Sequence, residues 1–137
     1  MMAMLEEFRP NHIALCGGVG GAKLALGLTA CLDSNELMVV GNVGDDFEHW
    51  GFQISPDLDT LLYTLSGVSN QELGWGRHGE TWTVLEEVSR LGGEAWFRLG
   101  DRDLAVHIER SARLDRGDTL SKITQDFCKA FGLDYCI

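Results

Sequence analysis

The chain has little proline, with Pro10 and Pro56 the only two in 137 residues, so a stiff proline-rich linker is excluded. Cations are also scarce. Eleven Lys and Arg face 21 Asp and Glu, for a formal net charge of −10. A field of that sign repels a phosphate backbone, which argues against nucleic acid and an anionic membrane surface as partners. No apolar run approaches the roughly 20 residues a spanning helix needs. Cys16, Cys31, Cys128 and Cys136 include no Cys-x-x-Cys pair, and no histidine sits at a ligand-like interval, so structural zinc is not expected. Met1 to Pro10 carries Glu6 and Glu7 and has neither a basic start nor an apolar stretch, so no secretion leader is read. These absences point to a cytoplasmic protein with reduced thiols.

What is present is glycine, 17 residues of it, in a chain that is 45% hydrophobic and 23% charged. That balance belongs to one globular domain with many tight turns and close backbone approaches. His12 to Cys16 is a short apolar strand that runs into Gly17-Gly18-Val19-Gly20-Gly21. Ala22 to Leu32 follows as a helix, with Leu24, Leu28 and Leu32 on one stripe. Leu37 to Val40 is wholly apolar, as expected of a parallel strand covered on both faces. Gly41 to Ile54 carries no clear period and is left as a loop. Ser55-Pro56-Asp57 starts a helix with a serine cap, proline in the first turn and an acid near the positive end. Leu58, Leu61, Leu62 and Leu65 form its buried stripe, and Gly67 ends it. Further helices are read at Glu80 to Leu91, with Val84, Leu85, Val88 and Leu91 inward, at Arg102 to Arg113 and at Leu120 to Phe131. Two strands are too few for an independently stable open sheet, so the chain reads as part of a larger domain.

Four groups of residues bear chemistry. The glycine turn lies between strand and helix, where backbone N–H groups and the helix dipole favour an anion. It is not a P-loop, because Lys23 follows Ala22 and precedes Leu24. Nor is it a dinucleotide fingerprint, because Lys23 replaces the third glycine and Gly41-Asn42 replaces the acid after the second strand. A turn that holds no ligand is the plain alternative. Asp45 and Asp46 lie just beyond the second strand, where two carboxylates can hold a hard cation such as magnesium; an ordinary Asp-rich turn is equally compatible. Asp57 and Asp59 stand two apart on a helix and so point in different directions, and only Asp57 has an evident structural role. Arg98 and Arg102 sit among acids, as salt-bridge partners or as planar donors to a ligand. His12, His49, His78 and His107 are scattered, and none is taken as a catalyst. Trp75, between glycines, is core for its loop or an aromatic platform.

The segments ALCGGVGGAKLALGL, VVGNVGDDFEHWGFQISPDLDTLLYTLSG, GWGRHGETW and WFRLGDRDLAVH resemble the 2-phospho-L-lactate transferases of coenzyme F420 biosynthesis. The likeness runs from about residue 12 to residue 131. It implies an α/β, Rossmann-like three-layer core of parallel strands with extra helices. It also implies a magnesium-dependent transferase that moves a 2-phospholactyl group, or an enolpyruvyl counterpart, from a guanosine diphosphate-linked donor to the deazaflavin Fo and releases GMP. Carried over by position, Asp59 and Arg98 contact the deazaflavin, and Asp45 and Asp46 lie near the metal and diphosphate. Gly17, Gly18, Gly20, Gly21 and Lys23 face the donor's phosphates. Asp59 is the residue expected to orient and deprotonate the attacking hydroxyl. The family continues past Ile137, so residues 12–137 are expected to be the amino-terminal portion of one such domain, truncated, after an extension at 1–11. A homodimer is one option for the assembly. The rival readings are a non-catalytic nucleotide-sugar-binding regulator of the same fold and, less favoured, a nicotinamide dehydrogenase.

Overall fold

The computed structural model describes residues 10–137; the rest of the expected N-terminal extension, with Glu6 and Glu7, lies outside the described residues. Strand β1 (His12–Cys16) leads through Gly17 into helix α1 (Gly18–Thr29), and β2 (Leu37–Gly41) returns beside β1. The two strands pair in parallel, from His12 opposite Leu37 to Cys16 opposite Gly41. Cys136 adds a parallel bridge to Met38 on the other side of β2, and its carbonyl accepts from Val39 N–H at 3.0 Å. The order is that of an α/β, Rossmann-like core, incomplete, with extra helices around it.

β3 (Phe47–His49) and β4 (Phe52–Ile54) form an antiparallel hairpin, followed by α2 (Pro56–Leu65), α3 (Thr83–Arg90), α4 (Asp101–Asp115) and α5 (Leu120–Ala130). The hairpin occupies the stretch expected to be a loop. It turns at Trp50-Gly51, both with positive φ, which is unusual for a tryptophan.

α1 and α2 pack together over one face of the sheet. Ala14, Cys16, Ala22, Ala25, Leu37, Val39 and Leu61 make that core; of the α2 leucine stripe, Leu58, Leu61 and Leu62 are buried and Leu65 is half-buried against the core. A second core joins α2, α4 and α5 through Leu62, Tyr63, Val106 and Cys128. The expectation that β2 is covered on both faces is corrected: Val40 is exposed, and on β1 Ile13 and Leu15 are exposed as well. The inward stripe expected of α3 is likewise corrected. No residue of α3 is buried, and Leu91 is 82% exposed. All four cysteines are free thiols. Among the described residues, no helix is long and apolar enough to cross a membrane.

Candidate functional site

The glycine turn sits at the carboxyl end of β1, where chain direction in a parallel sheet places ligands. The helix starts four residues earlier than its apolar stripe suggested, at Gly18, so the glycines form its first turn rather than a loop before it. Gly17 is the N-cap, no side chain caps the helix, and no acid stands in its first turn, so those N–H donors face no carboxylate of their own turn. Gly21 is required by close approach: a Cβ there would lie 3.0 Å from Cys16 Cα and 3.1 Å from its Cβ.

Asn42, which followed β2 where an acid was looked for, organises the neighbouring carboxylates. Its Nδ2 donates to Asp57 Oδ2 at 2.9 Å and to Asp45 Oδ2 at 3.1 Å, and its Oδ1 accepts from Gly44 N–H at 3.0 Å. Asp57 is buried and also lies against Gly17, whose Cβ position is 3.4 Å from Asp57 Oδ2. Glycine turn, Asp45 and Asp57 therefore meet at one end of the strands. In the sequence, Asn42 marks only the absence of an acid after β2.

Asp46 is held differently. Its Oδ2 accepts from Ser55 Oγ at 2.7 Å and from Gln53 Nε2 at 3.3 Å. Ser55 occupies the N-cap of α2 as expected, yet its hydroxyl goes to Asp46 and not to the helix backbone. Asp46 Oδ1 is buried and has no hydrogen-bond partner among the described residues. An unpaired buried carboxylate oxygen costs free energy unless something neutralises it. A carboxylate oxygen of this kind suits a hard divalent cation.

Asp59 points away from this cluster, into the interface with α4. Arg110, itself 2% exposed, holds it with both terminal nitrogens: Nη1 donates to Oδ2 at 3.2 Å and Nη2 to Oδ1. Arg110 Nη1 also lies 3.1 Å from His107 Nδ1. Because a guanidinium only donates, that ring nitrogen accepts, which puts the imidazole proton on Nε2, 3.4 Å from Asp103 Oδ1. Tyr63 OH donates to the same Asp103 oxygen at 2.5 Å. Burial, and then the charges of Asp59 and Asp103, push the Tyr63 phenol well up, so it serves as a donor. Burial also raises the Asp59 carboxyl, and Arg110 pulls it back. Neither Arg110, His107, Asp103 nor Tyr63 was singled out from sequence.

Asp59, Asp103 and His107 form a group that could hold a metal ion. In this structure Arg110 is the cation that occupies Asp59. Magnesium prefers oxygen ligands and keeps several waters, so a dry group with a histidine suits it less well than the oxygens at Asp45 and Asp46.

Lys23, on α1, lines a cavity of about 110 Å³ whose walls also include Thr60, Tyr63, Thr64 and Trp75. Trp75 is 40% exposed, so it is not core for its loop. Arg98 stacks on it, 5.9 Å from guanidinium carbon to ring centroid, and on Trp82 at 4.6 Å. The structure thus sorts the sequence candidates into three places: the glycine turn with Asp45, Asp46 and Asp57; buried Asp59; and Arg98 with Trp75 beside the Lys23 cavity.

A parallel α/β core with an uncapped glycine turn beside strand-end carboxylates defines a Rossmann-like protein. The chain belongs to the family described as 2-phospho-L-lactate transferase CofD, whose model matches residues 13–137. It is 47% identical over 118 residues to the phosphoenolpyruvate transferase of Kitasatospora aureofaciens, covering 85% of this chain and 37% of that protein. It is 46% identical over 120 residues to the phosphoenolpyruvate transferase of Nocardia farcinica, covering 87% and 36%. The chain therefore spans a little over a third of the length of the curated relatives it matches.

Proposed function

We propose that this chain forms the amino-terminal part of a transferase of coenzyme F420 biosynthesis. It moves a 2-phospholactyl group, or the enolpyruvyl counterpart, from a guanosine diphosphate-linked donor to the hydroxyl of Fo. The observation that carries this reading is the meeting of the glycine turn with the acids, where Asn42 joins Asp45 and Asp57 next to Gly17. Family membership and relatives named phosphoenolpyruvate transferase support the same reading. Residues 12–137 are proposed as one portion of a single domain, with 1–11 as an extension, acting in the cytoplasm; a homodimer is the assembly to test.

In the reaction, the Fo hydroxyl oxygen bonds to the phosphorus of the transferred group. The bond from that phosphorus to the bridging oxygen of GMP breaks, and the hydroxyl proton leaves. Catalysis of this type is mostly alignment and charge neutralisation. The N–H groups at Gly17, Gly18 and Gly20, with Lys23, are assigned to the donor's phosphates; the Gly21 N–H donates to the Gly17 carbonyl at 3.2 Å, so Gly21 serves by lining the turn. Asp45 and Asp46 would hold the metal, which would supply neutralisation of charge on the diphosphate. Asp59 is assigned to the acceptor. Arg110 uses two of its roughly four lone-pair sites, which leaves others for a hydroxyl, and burial makes it a stronger base than an exposed aspartate. Arg98 is assigned to the deazaflavin edge as a planar donor.

The test is GMP release by the chain supplied with donor, Fo and magnesium. Release that requires all three is expected. Binding of a UDP-sugar with no binding of Fo would overturn the reading in favour of a regulator.

A further inference from the structure

Two stretches far apart in the sequence, 76–84 and 96–103, interlock residue by residue. The Glu80 carboxylate accepts from the backbone N–H groups of Arg102 at 2.8 Å and Asp103 at 2.9 Å, which caps α4. Gly100 leaves room for it, since a Cβ there would lie 2.3 Å from Glu80 Cδ. In return, Asp101 caps α3. Its Oδ2 accepts from Thr81 Oγ1 at 2.7 Å and Thr83 N–H at 3.1 Å, and its Oδ1 from Val84 N–H at 3.0 Å. Asp101 N–H donates to the Thr81 carbonyl at 2.9 Å. Trp82 lies between the residues so gripped, and its backbone is fixed from both sides.

The ring of Trp82 carries the Arg98 guanidinium at 4.6 Å, with Trp75 on a longer contact of 5.9 Å, both within cation–π range. Arg98 is exposed, and among the described residues no carboxylate pairs with it. In a chain with 21 acids against 11 bases, an arginine left without an anion is informative. A mobile Arg98 would reach for a neighbouring acid, whereas stacking keeps its planar fork extended and its donors unused. Lys23 is unpaired in the same sense, and Trp75 is common to both: it stacks with Arg98 and lines the Lys23 cavity.

We propose that Trp82 is a positioning residue that presents Arg98 to a flat heteroaromatic ligand with a carbonyl or anionic edge, and that Asp101 acts through Trp82 by fixing its backbone. This rests on the assignment of Arg98 to the acceptor side. It also explains the joint presence of the GETW and RLGD segments: each caps the other's helix, and together they aim one guanidinium.

The experiment is a fluorescence titration of Fo into the full chain and its Trp82→Ala and Trp82→Phe variants, each first checked for wild-type circular dichroism and melting. Trp82→Ala is expected to weaken Fo about fivefold while Trp82→Phe stays within about twofold, the size of an exposed cation–π contact. Unchanged affinity in Trp82→Ala, or an equal loss in Trp82→Phe, overturns the proposal. Should the wild-type chain not bind Fo at all, the acceptor assignment fails. The positioning claim is then decided without ligand, by proton NMR of the Arg98 side chain. Upfield ring-current shifts that vanish in Trp82→Ala and shrink in Asp101→Ala sustain it, and unshifted wild-type resonances overturn it.

Discussion

Arg110 and Asp59, 51 residues apart, are locked fork to fork in the interface between α4 and α2, with 2% and 5% exposure. A pair this deep is strongly destabilising to break, because the surviving partner is left as an unpaired buried charge. Arg110→Gln is expected to cost about 3–5 kcal/mol in chemical denaturation. Adding Asp59→Asn should recover part of that loss, since the two sites share one network. Full additivity in the double mutant would contradict the pairing.

The same geometry ties fold to chemistry at Asp59. Asp59→Asn removes the base and also leaves Arg110 one acceptor oxygen and no opposite charge, so the variant is first checked for wild-type circular dichroism and its turnover is read per folded protein. If Asp59 takes the hydroxyl proton, GMP release should fall by about a hundredfold or more, within the range for losing a general base. Binding of Fo should survive in titration. Retained turnover would remove Asp59 from the mechanism.

Among the described residues, Asp46 Oδ1 has no hydrogen-bond partner. Asp46→Asn should weaken binding of magnesium, or of manganese as its spectroscopic stand-in, by about tenfold or more, the size reported for outer partners of metal ligands and a lower bound for a ligand itself. Manganese EPR titration reads this directly, independent of turnover. Equal affinity in wild type and variant would place the cation elsewhere.

Neighbouring glycines in the turn should respond in opposite ways. At Gly21 a Cβ would crowd Cys16 backbone and side chain, so Gly21→Ala should cost about 1–3 kcal/mol by overpacking. At Gly20 nothing lies within 4 Å, and the residue is helical. Gly20→Ala should therefore stabilise by about 0.4–1 kcal/mol. Thermal melts of the two variants, moving in the same direction, would refute the assigned contacts.

Acid stability should depend on Asp126. Hydrogen bonds from Lys122 and then Arg113 hold its carboxyl at about 2, below the ordinary 3.8. The folded value lies below the unfolded one, so the contribution is present above 3.8 and is lost as pH falls through about 2. Denaturation between pH 5 and about pH 2 should show wild type losing stability with acid more steeply than Asp126→Asn. Parallel slopes would show the network to be inert.

Local pattern alone determined the strand, glycine turn and helix at the start, the apolar second strand, the leucine stripe of α2, and the helices α4 and α5. Each is set by residues within a few positions of one another, and periodicity records such relations. The candidates Asp45, Asp46, Asp59 and Arg98 came from position relative to those elements and from resemblance. Other features needed the folded chain. FEHWGFQI has no alternation, and its turn uses a tryptophan at φ 54°, so the hairpin was not legible. The apolar side of α3 was evident, yet periodicity says which side is apolar and not whether anything covers it. Ser55 stood at its cap position, but Asp46 took its hydroxyl. Arg110, His107 and Tyr63 acquired meaning only because α4 lies against α2, and Trp82 only because Glu80 and Asp101 cap each other's helices. Which helix faces which is decided by packing between residues far apart in the chain, and no local period carries that information.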